Sequence, residues 1–233
     1  MISLSKLIKK VNVVLCLGQQ ERLITNICFD SRKVKTNDLF IAIKGVSSNG
    51  HDFIQQAIDH GASVIICENQ PDNLINSVTY ITVKDTSHTL SIISSNLYDN
   101  PSSKIKLVGI TGTNGKTTIV NLLYQIFTRC GFKVGVISTI ENKIGDLTID
   151  STHTTPNPLQ INNLLSQMVT EQCSFCFMEV SSHAVVQKRI SFLEFDAGVF
   201  SNITHDHLDY HLTFKNYIDA KQQFFSNLSS KAL

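Results

Sequence analysis

The chain has 233 residues, of which 42% are apolar and 17% charged, with a formal charge of +1. That is ordinary for a soluble globular protein and long enough for one large or two ordinary domains. No net field of either sign draws it to nucleic acid or an anionic membrane, so any anion site has to be local. No segment supplies the ~20 apolar residues of a membrane span, which argues against insertion.

Lys6, Lys9 and Lys10 precede an apolar run at 13–17. The run is shorter than the ~7–15 residues of a leader's core, and Gln19, Gln20 and Glu21 follow it in place of small residues. It reads as a short helix and then a strand. ITNICFD (24–30) and DLFIAIK (38–44) read as strands, and DFIQQAIDHG (52–61) as a helix stopped at Gly61. SVIICE (63–68) and VTYITV (78–83) are rich in β-branched residues and read as strands. HTLSIISSNLY (88–98) reads as an amphipathic helix, broken by Asn100, Pro101, Ser102 and Ser103. A domain boundary is therefore set at 101/102.

The second segment repeats the alternation. KIKLVGIT (104–111) is a strand, 116–130 a helix closed by Gly131, and KVGVIST (133–139) a strand. NKIGDLTI (142–149) is a hairpin turning at Gly145-Asp146. A helix (158–169), two strands (173–180 and 195–203) and a helix (214–228) follow, with no further strand read in 226–233. Apolar strands alternating with helices imply an α/β fold with a mostly parallel sheet covered on both faces. Of six cysteines only Cys173 and Cys176 form C-x-x-C. They sit in an apolar strand with no second pair, which favours buried reduced thiols and a reducing, cytoplasmic setting over zinc.

The strongest chemical signal is GITGTNGKTT (109–118), with an apolar strand running in and a long helix running out. Small residues let backbone N–H groups converge on phosphate oxygens, and the helix N-terminus adds positive potential. Lys116 is placed for β and γ phosphates and the Thr117 hydroxyl for Mg²⁺. Position 110 is Ile, so the strict P-loop pattern is not met. Gly112 lies inside the loop instead, and the competing reading is a turn that only needs positive φ.

Elsewhere the residues leave alternatives open. Thr154 and Thr155 precede Pro156 at a helix entrance, suiting an anion or a cap. Glu179 ends an apolar strand, where a carboxylate is costly unless paired or metal-bound. THDHLDYH (204–211) gathers three histidines; zinc is the tempting reading, but the histidine spacings fall on what reads as an irregular loop with no cysteine near, which argues against it. Lys221 on FKNYIDAKQQFF reads by itself as a solvated helix-surface lysine.

TGTNGKTT resembles the loop of the Mur ligases and folylpolyglutamate synthases. FDSRKVKTNDLFIAIKG with NGHDFIQQAIDHGA, STHTTPNPL, MEVSSHAVVQKRI and FSNITHDHLDYHLTFKNYIDAKQQFF together resemble the MurE branch of the Mur ligases, from about Cys28 to Phe225. E-V-S-S-H and D-H-L-D-Y-H are the discriminating elements, and Asn157 stands where that branch commonly has Asp. The resemblance implies an N-terminal uridine-binding α/β domain (1–101) and an ATP-binding central domain (102–233). It implies an ATP- and Mg²⁺-dependent ligase that activates the D-Glu carboxylate of UDP-MurNAc-L-Ala-D-Glu as an acyl phosphate and joins it to meso-diaminopimelate or L-lysine in peptidoglycan synthesis.

The implied ATP-binding residues are Gly112, Thr113, Asn114, Gly115, Lys116, Thr117 and Thr118. Those for UDP-MurNAc-dipeptide are Phe29, Ser31, Val46, Ser47, Ser48, Thr154, Thr155, Ser181, Gln187 and Arg189. The implied metal ligands are Thr117, Glu179, His207 and a carbamylated Lys221, with Lys116, Lys221 and His207 catalytic. The resemblance also implies a later amino-acid-selecting domain outside these residues, so the chain as given is expected to be incomplete for activity. A monomer is expected. The alternatives are a non-catalytic UDP-sugar- or ATP-binding remnant and a folylpolyglutamate synthase-like ligase.

Overall fold

A computed structural model of the chain describes residues 1–45, 48–206 and 208–233, and the backbone but not the side chain of Leu208. They form two compact units, Met1–Leu97 and Tyr98–Leu233.

In the first unit the order is β1 (Ile2–Ser3), α1 (Leu4–Leu7), β2 (Val13–Leu17), β3 (Leu23–Ile24), β4 (Ile27–Cys28), β5 (Leu39–Ile41), α2 (Ile54–Asp59), β6 (Val64–Cys67), β7 (Thr79–Val83) and α3 (Thr86–Leu97). The main sheet runs β2-β7-β6-β5-β4, parallel except for β2. Residues 24–30 are not one strand. β3 pairs with β1 in a separate two-stranded sheet and β4 with β5. The chain turns between them because Thr25 N–H donates to Asn37 O and Asn26 O accepts from Leu39 N–H. α3 is buried nearly all round rather than on one stripe, from Thr89 to Asn96. The small side chains of Ser91, Ser94 and Ser95 permit that, and Asn96 Nδ2 ties the helix to Leu7 O and Lys9 O at 2.8 and 2.6 Å.

The second unit comprises β8 (Lys106–Thr111), α4 (Lys116–Arg129), β9 (Val134–Ile137), β10 (Glu141–Ile144), β11 (Leu147–Asp150), α5 (Pro158–Thr170), β12 (Phe175–Glu179), α6 (Ser182–Val186), β13 (Ala197–Phe200), α7 (Leu208–His211) and α8 (Phe214–Ser226). The sheet order is β11-β10-β9-β12-β8-β13. β9, β12, β8 and β13 are parallel and the β10–β11 hairpin adds an antiparallel edge. The loop read at 204–211 contains a turn of helix, α7, and the short helix α6 follows Glu179 and Val180. Residues 226–233 do not trail off. Leu233 N–H donates to Asp196 O and Leu233 O accepts from Gly198 N–H, continuing the parallel pairing beside β13.

Period-2 alternation distributes this unit's core. Val134, Val136, Ile110 and Phe177 face α4, where Phe127 meets Phe175 and Phe177 edge-on at 4.7 and 5.1 Å between ring centres. Leu107, Ile137, Cys176 and Met178 face the opposite layer with α5 and Phe224 of α8. At about 1.5–3 kcal/mol per fully buried large apolar side chain, these two layers dominate the unit's stability. Asn157 opens α5 with a capping box shared with Gln160.

Gly109 in β8 faces α8, and a β-carbon there would lie 2.5 Å from Phe224 Cζ and 2.9 Å from Phe195 Cε1. Gly109→Ala should therefore destabilise the second unit by about 1–3 kcal/mol through overpacking. Urea unfolding followed in this unit tests it, and an unchanged midpoint would show that α8 yields freely.

Candidate functional site

The β8–α4 connection is built by the sequence's small residues. Gly112 has φ +149°, and a β-carbon there would overlap Ser201 Oγ and lie 3.0 Å from Asn202 O, so any side chain would separate the loop from the strand end that supports it. That support comes from the segment after β13, which sequence reasoning did not connect with the loop. Thr113 N–H donates to Asn202 O (2.9 Å), Asn114 N–H to Asn202 Oδ1 (3.0 Å), and Ser201 Oγ and Asn202 Nδ2 donate to Asn114 O. Thr113 Oγ1 accepts from Thr204 N–H at 2.9 Å and shares a 3.0 Å bond with the Tyr217 hydroxyl. The backbone donors of Thr113 and Asn114 are thus engaged in holding the loop's shape. Those of Lys116, Thr117 and Thr118, in the first turn of α4, have no carbonyl partner within the helix and are open donors of the kind that suits an anion.

Two lysines converge on one carbonyl. Lys116 Nζ donates to Gly112 O and Thr113 O, both at 2.9 Å, and Lys221 Nζ donates to Gly112 O at 2.8 Å. Lys221 is not a solvated helix-surface residue. It is 3% exposed, on the inner face of α8, with its ammonium 4.6 Å from the Tyr217 ring centre. Burial, with the nearby Lys116 charge, pushes Lys221 down to about 8, against the pull of Asp206. Lys116 is also lowered by burial, opposed by Glu179 and Asp206.

Across the loop, Glu179 ends β12 at 1% exposure. Its buried carboxylate accepts three hydrogen bonds: Oε1 from Thr117 Oγ1 (2.8 Å) and Thr139 N–H (3.0 Å), and Oε2 from Thr139 Oγ1 (3.1 Å). Thr139, just past β9, was not singled out in the sequence. A hydroxyl two residues beyond an apolar strand that ends beside the phosphate loop is the signal that could have found it. Its Oγ1 also lies 3.0 Å from Thr154 Oγ1. Thr155 donates to Glu179 O (2.8 Å) and accepts from Ser181 N–H (3.0 Å), while Ser181 Oγ caps α6. Arg189 Nη1 donates to Thr155 O at 2.7 Å, and its Nε and Nη2 both donate to Gln187 Oε1. The Thr117 hydroxyl, Glu179, Thr139, Thr154–Thr155 and Arg189 therefore form one connected polar network beside the loop lysine at the C-terminal ends of the parallel strands, where open α/β sheets bind ligands.

In the first unit, Phe29 is 38% exposed, Ser31 is buried with its hydroxyl on Gln56 Oε1 at 2.7 Å, and Ser48 is exposed with its carbonyl accepting from Gly45 N–H. Val46, Ser47 and His207 lie outside the described residues. His211 is buried with Nε2 2.9 Å from Ser182 Oγ, and His205 stacks on Phe214 at 4.1 Å between ring centres. Among the described residues no three His, Cys, Asp or Glu side chains converge as a metal site. The Thr117 hydroxyl and Glu179 carboxylate are hard oxygen donors of the kind Mg²⁺ takes alongside water and phosphate.

Residues 110–233 match the family model of the Mur ligase middle domain, and residues 23–98 match that of the Mur ligase family catalytic domain. The chain belongs to the Mur ligase family. It is 53% identical over 228 residues to the UDP-N-acetylmuramoyl-L-alanyl-D-glutamate–2,6-diaminopimelate ligase of Cytophaga hutchinsonii, covering 97% of this chain and 47% of that one. With the protein of the same name from Phocaeicola vulgatus it shares 47% over 231 residues, covering 99% and 48%. A solved structure of a UDP-N-acetylmuramoyl-L-alanyl-D-glutamate–2,6-diaminopimelate ligase superposes with a TM-score of 0.77 at 25% identity, over 98% of this chain and 46% of that one. A MurF structure from Acinetobacter baumannii, at 20% identity and TM-score 0.65 over 99% and 47%, shares the fold. This Mur ligase chain spans about half the length of the curated relatives it matches.

The lowered Lys221 ammonium gives a signed pH dependence. Unfolded, the amine keeps its proton up to the ordinary value of 10.5; folded, it releases it near 8. Between those values the unfolded chain binds the extra proton, so this group's contribution to stability rises with pH. Buried thiols such as Cys28 and Cys67, held up near 11 by burial, act in the opposite direction. The quantity to read is therefore wild type minus Lys221→Met, by denaturant unfolding in CO₂-free buffer. That difference should grow by about 2 kcal/mol in favour of wild type from pH 7.5 to 9.5; a flat difference would mean Lys221 titrates normally.

Proposed function

We propose that this chain carries the ATP site and the UDP-MurNAc-dipeptide contacts of a cytoplasmic, Mg²⁺-dependent ligase that joins 2,6-diaminopimelate to UDP-MurNAc-L-Ala-D-Glu. The observation that carries the proposal is the constellation of half-buried Lys116 and Thr117 with buried Lys221 and Glu179 beside the Gly112 turn. The printed name of relatives at 47–53% identity supports the substrate and the amino acid.

In this reading the first turn of α4 and Lys116 hold the β and γ phosphates, with Gly112, Thr113, Asn114 and Gly115 shaping the cradle. Thr117 and Glu179 would hold Mg²⁺, with His207 and a carbamylated Lys221 as further ligands. ATP with its metal, when bound, supplies the γ-phosphoryl group that activates the D-Glu carboxylate. Arg189, fixed through Thr155 and Gln187, offers a planar cation to the substrate's anionic groups, and Thr154 and Ser181 offer hydroxyls beside it. Phe29, Ser31, Val46, Ser47 and Ser48 are proposed for the uridine end. The burial that brings Lys221 down to about 8 supplies the neutral amine that carbamylation requires. With ¹³C-bicarbonate the protein should show a carbamate carbonyl resonance that Lys221→Met lacks; the same resonance in both proteins would remove Lys221 from the metal set.

Calorimetry on the chain itself tests the assignment. Wild type should bind both Mg·ATP and UDP-MurNAc-L-Ala-D-Glu. Lys116→Ala should weaken ATP about 100-fold, the loss of a half-buried charge-assisted contact, and change the UDP-MurNAc-dipeptide affinity less than about two-fold. Failure of wild type to bind UDP-MurNAc-L-Ala-D-Glu would overturn the proposed substrate, and equal loss of both ligands would overturn the division of roles.

A further inference from the structure

Glu179 meets Thr139 at both oxygens of its carboxylate. Oε1 accepts from Thr139 N–H at 3.0 Å and Oε2 from Thr139 Oγ1 at 3.1 Å. Thr117 Oγ1, at 2.8 Å, also lands on Oε1. Among the described residues, Thr139 is thus the group that holds Oε2. An ionised carboxylate only accepts, so each of these bonds has its proton on a threonine. The last torsion of a glutamate side chain is broad. A carboxylate pinned at one oxygen can swing about it, whereas two donors on a single residue, one at each oxygen, set its plane.

The Thr139 hydroxyl has a second neighbour, Thr154 Oγ1 at 3.0 Å. It carries one proton, and a hydrogen bond to an ionised acceptor is roughly twice as strong as a neutral one. The proton therefore goes to Glu179, and Thr154 supplies the proton of the other bond. The base of the grip is anchored too. Ser138, the residue before Thr139, is fully buried. Its N–H donates to Asn142 Oδ1 (3.4 Å), its Oγ donates to Glu141 O (2.7 Å), and its carbonyl accepts from Ser151 Oγ (2.6 Å). Glu141 and Asn142 lie in β10 and Ser151 follows β11. The antiparallel hairpin at the sheet edge thus fixes the peptide that carries Thr139.

We propose that Thr139 is a positioning residue whose N–H and hydroxyl hold the Glu179 carboxylate in one orientation for a divalent cation, with the β10–β11 hairpin as the brace. A carboxylate has roughly four acceptor positions. Two bonds on Oε1 and one on Oε2 leave the open position on Oε2. A hard cation beside the phosphate loop meets an oxygen already in place, so the carboxylate does not have to be ordered on binding. Thr139 ligates nothing itself; it acts through Glu179. That the cation is the Mg²⁺ of Mg·ATP rests on the function proposed above, whereas the grip on Glu179 rests on geometry alone.

The test has two arms on the chain as it stands. Thr139→Val keeps the backbone donor, the branched shape and the melting temperature but removes the hydroxyl; Thr139→Ser keeps both donors. In hydrogen exchange without ligand, corrected for intrinsic side-chain effects, the amide at position 139 should exchange about 10-fold faster in Thr139→Val, the worth of one charge-assisted bond, and within about two-fold of wild type in Thr139→Ser. In calorimetry, ATP binding is compared in Mg²⁺ and in EDTA. Thr139→Val should cut the Mg²⁺ enhancement of ATP affinity about 10-fold and leave the affinity in EDTA within about two-fold, and Thr139→Ser should restore the enhancement. Unchanged exchange at position 139 overturns the grip. An unchanged Mg²⁺ enhancement, an equal loss in EDTA, or a failure of Thr139→Ser to restore it overturns the positioning role. If wild type binds ATP equally with and without Mg²⁺, the metal reading of Glu179 fails, while the exchange arm still decides whether Thr139 holds the carboxylate.

Discussion

The second unit is organised around one backbone oxygen. Gly112 O receives ammonium groups from Lys116, four residues ahead in the chain, and from Lys221, far along on α8. One buried and one half-buried cation so close together are mutually unfavourable, and Lys221 has lost its water to reach that oxygen. The arrangement holds because the turn is constrained on every side: by Gly112 itself, by the Asn202 ladder, and by Thr113 clamped between Thr204 and Tyr217. An excess of positive charge over an open helix N-terminus is an arrangement that suits polyanion oxygens. Glu179, held in place by Thr117 and Thr139, is a buried negative group beside it.

Much of this was legible in the sequence because strand and helix periods were clean. The glycine-rich turn between β8 and α4 and the hairpin at Gly145-Asp146 each depend on a few adjacent residues, so local chemistry determines them. The misreadings came where distant chain decides. Residues 24–30 divide into two strands because Asn37 and Leu39 take the bonds of Thr25 and Asn26. Lys221 has the spacing of a surface lysine, and only the close approach of α8 to the Gly112 turn makes it buried. Thr139 carries no motif signal of its own, since its contacts are defined by a partner 40 residues away. The family resemblance located Glu179 and Arg189, but the hydrogen bonds that orient them belong to the fold.

The cysteines acquire a use from where they sit. Cys28 and Cys67 are buried in the first unit and Cys173 and Cys176 in the second, while Cys130 is exposed at the end of α4. Burial raises the buried thiols and keeps reagents from them, so each reacts only when its surroundings open. The wild-type chain thus contains its own pair of clocks: alkylation of Cys67 times the opening of one unit and alkylation of Cys176 that of the other, with Cys130 as the internal standard for unhindered chemistry.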